Sequence, residues 1–214
     1  MNITILGAGN MGAALTKQLS LSGHSVRVVS RDTNKARDLA SRYRGVVTAA
    51  AADGIADSDA VIVATGYEDA VSALHSLGSL AGTVVVDVTN PLTKDFSGLS
   101  VGHDTSAAEE IAKAVPGADV VKAFNTLFAQ VLDDGPSFPN SQTAPAFFAS
   151  DSERAKDVAR KLIESIGFKA IDAGGLKNAR YLEPLAGLNI YFGYGAGRGT
   201  AIAPTWISKP QSAR

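Results

Sequence analysis

Apolar residues in this chain fall into short runs separated by longer segments of helical spacing. Asn2 to Gly7 reads as a first strand, and Gly12 to Ser22 as a helix with Leu15, Leu19 and Leu21 apolar. Gly23 and His24 turn into a second strand, Ser25 to Ser30, followed by a short charged helix from Asn34 to Tyr43. Val46-Val47 is a weak third strand, Asp53 to Ser58 carries a short turn, and Asp59 to Ala64 is a fourth strand. Glu68 to Leu80 places Val71, Leu74 and Leu77 on one helical face. Thr83 to Val88 is a near-continuous β-branched run, the mark of a central strand buried on both faces.

The second half continues the alternation. Ser106 to Ala114 is a helix whose Ser106 and Glu109 fit a capping box, and Asp119 to Ala123 is a sixth strand. Asp133 to Thr143, rich in Pro, Ser, Asn and Asp, reads as a loop. A strand at Ala146 to Ala149, a helix at Ser152 to Ile166 and a strand at Lys169 to Asp172 follow, with Ser152 and Gly167 at N-cap and C′ positions. A last helix, roughly Asn178 to Phe192, leads into the Gly-rich segment Gly193 to Gly199. This order predicts an α/β fold, a doubly wound, mostly parallel Rossmann sheet of about eight strands with a short helical C-terminal extension. Residues 1–174 form the dinucleotide-binding domain of that division, and 175–214 a segment available for the acceptor site or for dimerisation.

Composition adds exclusions. The 214 residues are 45% hydrophobic and 19% charged, an ordinary globular balance, and the formal net charge of -1 gives no pull towards nucleic acid or an anionic membrane. The absence of cysteine removes disulfides, thiolate metal sites and cysteine nucleophiles. No apolar run approaches the roughly 20 residues of a bilayer span, and no basic region precedes an apolar stretch at Met1, so a cytoplasmic protein is expected.

Gly7-Ala8-Gly9-Asn10-Met11-Gly12 follows the first strand and opens a helix, the context a dinucleotide-binding turn requires. Gly7 permits the tight turn, Gly9 the approach of a pyrophosphate, and Gly12 close helix–strand packing. Free N–H groups at the helix start then face the phosphates. At the end of the second strand, where an NAD enzyme usually carries an acid, stand Ser30 and Arg31, with Lys35 a turn further on. A hydroxyl and cations there favour a 2′-phosphate, hence NADP(H); Asp32 is read as the cap of the next helix. Other strand ends offer Ala64-Thr65-Gly66 and Asn90-Pro91 to the cofactor and Asn125-Thr126 to the substrate. Asn90 and Asn125 suit either a nicotinamide carboxamide, a substrate carbonyl, or plain Asx turns.

Four stretches together resemble the NADP oxidoreductases that reduce the deazaflavin coenzyme F420: Ile5 to Gly12, Ser30-Arg31 with Lys35, Asp87-Val88-Thr89-Asn90-Pro91-Leu92, and Ala179-Arg180-Tyr181-Leu182-Glu183-Pro184-Leu185. The resemblance implies Ala8, Gly9, Asn10 and Met11 along the pyrophosphate, and Ser30, Arg31 and Lys35 on the 2′-phosphate. It also implies hydride transfer to a flat small-molecule acceptor, F420 or a flavin, and a homodimer or larger assembly. The same fold serves membrane ferric reductases that use flavin, so the acceptor stays open. An NADP(H)-binding redox sensor without turnover and an imine reductase of the pyrroline-5-carboxylate type are the alternatives. The second needs a long helical dimerisation domain, for which only about 40 residues remain after the last strand.

No side chain stands out as an acid–base catalyst, which suits a transfer that needs positioning more than proton chemistry. His24, His75 and His103 read as structural or solvated, and no His/Asp/Glu grouping suggests a metal. Lys122 reads as a snorkelling strand lysine, and Arg180 and Glu183 as a helical pair. Gly193 to Gly199 is a flap or a connector, and Tyr191, Phe192, Tyr194 and Trp206 a cluster that stacks on a ring or packs across a dimer.

Overall fold

A computed structural model describes residues 1–51, 55 and 57–209. Eight strands form one sheet: β1 (Asn2–Leu6), β2 (Ser25–Val29), β3 (Val46–Thr48), β4 (Ala60–Val63), β5 (Val84–Asp87), β6 (Asp119–Ala123), β9 (Pro145–Ala149) and β10 (Lys169–Asp172). Their order is β10-β9-β6-β5-β4-β1-β2-β3, parallel throughout except between β6 and β9. The sheet is doubly wound as the alternation predicts, and the order reverses where β1 sits between β2 and β4. Ligands of such sheets bind at the carboxyl ends of the strands at that reversal.

Helices cover both faces. Leu15 and Leu19 of α1 (Asn10–Leu21), Leu39 of α2 (Thr33–Ser41) and Leu162 of α6 (Glu153–Ser165) pack with Ile3, Ile5, Val84 and Val86 in the larger core. Leu74 of α3 (Tyr67–His75) and Ile111 of α4 (Ala107–Ala114) pack with Val61, Val63, Val85 and Val120 on the opposite face. Alternation along the strands sends successive valines to different layers, which is why Val84 to Val86 are buried on both faces of the sheet. Asp32, Ser106 and Ser152 cap α2, α4 and α6 through their side chains. Gly167, at φ +83°, turns the chain out of α6.

Three features differ from the sequence expectation. A short helix, α5 (Ala129–Asp134), precedes the expected loop, and the loop itself holds a small hairpin of β7 (Ser137–Phe138) and β8 (Gln142–Thr143). Six residues carry too little periodicity to announce a helix; α5 is held by α1, where Lys17 Nζ lies 2.8 Å from Asp133 Oδ2. The last helix, α7 (Ala179–Ile190), continues as a π-helical turn over Tyr191–Gly195. The Gly-rich segment is therefore partly helical, and the Arg198 and Gly199 N–H groups fold it back onto the Phe192 and Gly193 carbonyls. The turn expected from Asp53 to Ser58 lies in part outside the described residues.

Candidate functional site

The chain leaves β1 through Gly7, whose φ of +121° favours glycine and whose added Cβ would stand 2.5 Å from the Ala64 carbonyl oxygen. Gly12 lies so close below that a Cβ would meet the Gly7 oxygen at 2.1 Å. Gly9 starts α1 with no side-chain cap, and a Cβ there would meet nothing within 4 Å. The first N–H groups of α1 thus face open space beside an unobstructed backbone, which fits a pyrophosphate.

Gly7, Ala8, Gly9, Ser30, Arg31, Lys35, Ala64, Thr65 and Gly66 line one cleft of about 580 Å³. Residues from three strand ends are therefore brought together as the sequence predicted. Asp32 accepts from the Asn34 and Lys35 N–H groups and caps α2, leaving its neighbours to face the cleft. Asp69, which sequence reasoning missed, lines the same cleft and grips the exposed Arg31 guanidinium through two bonds of 2.7 and 3.3 Å. Its position in the first turn of α3, right after Gly66, was the available signal.

Asn10, Met11, Asn90, Asn125 and Thr126 line a second cleft of about 220 Å³. The asparagines close no Asx turn. Asn90 Nδ2 donates to the Asn125 carbonyl at 2.9 Å, and Asn125 Nδ2 donates to Asn90 Oδ1 at 2.9 Å and to the Leu182 carbonyl at 3.1 Å. Buried Asn125 Oδ1 and Thr126 Oγ1 are left without partners, an acceptor and a hydroxyl suited to a carboxamide. Phe124 immediately before them is fully buried at φ +60°, a backbone state costing about 1–3 kcal/mol that collects at functional sites. Pro91 does not join the cleft: it is buried, and its carbonyl accepts from the Ser100 N–H. Gly12 is likewise a packing residue, buried beneath the turn.

Behind this cleft the reading of Lys122 is overturned. In register with Asp87 on the neighbouring strand, it is fully buried, with Nζ 2.8 Å from Asp87 Oδ2, 2.8 Å from Glu183 Oε1 and 2.7 Å from the Thr89 carbonyl. No solvent lies within reach of its head group, so it pairs where it cannot snorkel. Glu183 also accepts from the Ala107 and Ala108 N–H groups at the start of α4, and burial pushes its carboxyl up against the pull of Lys122. Arg180 and Glu183 consequently do not pair with each other.

Arg180 instead forms a two-pronged contact with Glu109 at 2.7 and 2.8 Å, and Glu109 accepts from the Ser106 hydroxyl. The Arg180 guanidinium holds the Glu109 carboxyl below its usual range, so this contribution to stability is complete above that range and is lost as pH falls from there through the lower, folded-state value. Thermal melts should show Arg180→Gln less stable than wild type near neutrality, with the difference closing below about pH 4. A constant difference across that interval would deny the pairing a share in stability.

The histidines stay apart from both clefts. His24 Nε2 meets Ser165 Oγ, His75 Nε2 meets the Ala114 carbonyl, and His103 sits in a surface loop. The aromatic cluster divides: Tyr194 packs edge-on against Phe128, whereas Trp206 packs against Phe147. Among the described residues no helix is long and apolar enough to cross a membrane.

A doubly wound sheet with a glycine turn at its reversal and cations at the second strand end defines a dinucleotide-binding protein of the Rossmann class. The family model for coenzyme F420-dependent NADP oxidoreductases matches residues 2–91. An F420-dependent NADP reductase of Methanothermobacter marburgensis is 32% identical over 89% of this chain and 91% of its own. The chain belongs to this family and is an NADP-dependent oxidoreductase. Metalloreductase STEAP3 of Rattus norvegicus is also 32% identical, over 86% of this chain, which spans 36% of that longer protein. The crystal structure of a candidate F420-dependent NADP reductase from Arthrobacter sp. FB24 superimposes with a TM-score of 0.81 at 29% identity, covering 93% of this chain and 95% of that one.

Proposed function

We propose that the chain transfers a hydride between NADP(H) and a flat acceptor of the deazaflavin or flavin type, coenzyme F420 foremost. The observation that carries this is the continuity of the clefts. Leu92, Phe96, Ile190 and Tyr194 line both the Asn125 cleft and an adjoining, largely apolar groove of about 820 Å³. A nicotinamide beside Asn125 would face that groove, whose aromatic walls suit a planar ring. The names of the archaeal relatives support F420 among such rings.

NADPH, when bound, supplies the hydride and becomes NADP+, and the acceptor is reduced by two electrons. The chain's own part is placement. Ala8 to Met11 hold the pyrophosphate, Ser30, Arg31 and Lys35 the 2′-phosphate, and Asn90, Asn125 and Thr126 the nicotinamide end. In this reading residues 1–174 carry the cofactor and the segment from 175 walls the acceptor. Tyr181 and Leu188 of α7 and Tyr191 of its π-helical continuation, all exposed, support a homodimer, which sedimentation would contradict by showing a monomer.

The direct test is NADPH oxidation with F420, FMN, FAD and ferric chelates offered in turn. Turnover with a ring acceptor is expected; tight NADPH binding with no turnover on any of them would overturn the reading in favour of a sensor. Arg31→Ala should raise the KM for NADPH about tenfold or more while leaving that for NADH nearly unchanged, since a charge-assisted bond to phosphate contributes about 1.5–3 kcal/mol. Equal losses for both coenzymes would place Arg31 on some other part of the ligand.

A further inference from the structure

The Arg180–Glu183 stretch lies outside both clefts, yet it touches Asn125 and the buried cluster around Lys122. Leu182 and Glu183 are adjacent in the chain. The first offers its carbonyl to Asn125 Nδ2, and the second meets Lys122 and caps α4. Two helical turns further along α7, Asn189 Nδ2 donates to the Thr126 carbonyl at 3.1 Å. Helix α7 is thus pinned across the 124–126 bend, the place where Phe124 is held at positive φ.

We propose that Glu183, anchored by Lys122, is a positioning residue for hydride transfer: it fixes α7 at the height where the Leu182 carbonyl takes an Asn125 N–H, leaving Asn125 Oδ1 as the free acceptor for a carboxamide N–H. An amide presents one oxygen and two N–H bonds. With both N–H bonds committed, to Asn90 and to Leu182, the oxygen is the only part of Asn125 left to read a ligand. If α7 shifts, the Leu182 carbonyl withdraws and the amide is free to turn. The cleft then loses its fixed acceptor, and the ring its fixed distance to the groove. A misplacement of about 1 Å in a reacting pair costs about a hundredfold in rate.

The inference rests on the nicotinamide reading of the Asn125 cleft, and the test separates the two. Affinities of purified wild-type chain, Glu183→Gln and Arg180→Gln are measured by titration for NADPH and for 2′-phospho-ADP-ribose, which lacks the nicotinamide, together with kcat on the accepted ring acceptor. Gln keeps the shape of Glu183 but turns an N–H towards donors, loosening the anchor. The expected result is unchanged binding of the truncated ligand, about tenfold weaker NADPH binding and a fall in kcat. Arg180→Gln, which loosens the same helix without touching the buried cluster, should move both values in the same direction by less, and it decides the matter if Glu183→Gln does not fold. Equal weakening of both ligands, or no change in a folded variant, overturns the proposal. A wild-type chain that binds 2′-phospho-ADP-ribose as tightly as NADPH would instead overturn the nicotinamide reading beneath it.

Discussion

Lys122→Met should destabilise the fold by about 3–5 kcal/mol, a large share of the total stability of a domain of this kind. The wild-type ammonium lies within 2.8 Å of two carboxylates that are as buried as it is. Methionine fills the same volume but leaves Asp87 and Glu183 facing each other in a low-dielectric interior. Such a loss exceeds what the pair contributed net, because the cost is that of stranding the remaining charges. Asp87 also accepts from the Thr89 N–H and Glu183 from two amides of α4, so neither can swing out to water without breaking further bonds. Urea unfolding should therefore show a lower midpoint, and neutralising the stranded acids in Lys122→Met/Asp87→Asn/Glu183→Gln should recover part of it. A single variant with an unshifted midpoint would mean the cation is not what makes the buried acids tolerable.

That cluster also marks where the sequence stops being readable. The cofactor turn was legible because its chemistry is local: strand, glycines and helix lie within about a dozen residues, and each glycine has a separate steric reason. Ser30, Arg31 and Lys35 were legible for the same reason, as they follow one strand end. Lys122 was not. A single lysine in an apolar strand is ordinarily a snorkelling one, and its second carboxylate comes from a helix near the other end of the chain. Half of the arrangement was within reach, since the runs ending in Asp87 and around Lys122 are neighbouring parallel strands and align charge with charge. Arg180 and Glu183 misled because helical spacing says only that two side chains share a face. Here α4 begins against that face and offers each a better partner: Glu109 for one, the first amides of the helix for the other. The short α5 was missed for a related reason, as its stability comes from α1 and not from its own six residues.

Gly9→Ala and Gly12→Ala should part ways, and the contrast tests the functional reading without assuming the acceptor. At Gly12 the new methyl meets the Gly7 oxygen at 2.1 Å, so either the turn or the helix must move. That should cost about 1–3 kcal/mol of stability and displace the cofactor turn enough to lower kcat/KM about a hundredfold. At Gly9 the backbone is at φ -79°, which alanine adopts freely, and the methyl meets no protein atom within 4 Å. The gain from a stiffer unfolded chain and the loss of a favourable N-cap glycine are each below about 1 kcal/mol and opposite in sign, so the melting temperature should barely change. NADPH affinity should nevertheless fall tenfold or more, about 1.4 kcal/mol, because the methyl stands where the pyrophosphate approaches. Calorimetry of both variants with NADPH separates damage to the fold from damage to the ligand's space. If Gly9→Ala binds NADPH as the wild type does, no phosphate lies against that backbone, and the open space above Gly9 must serve something else.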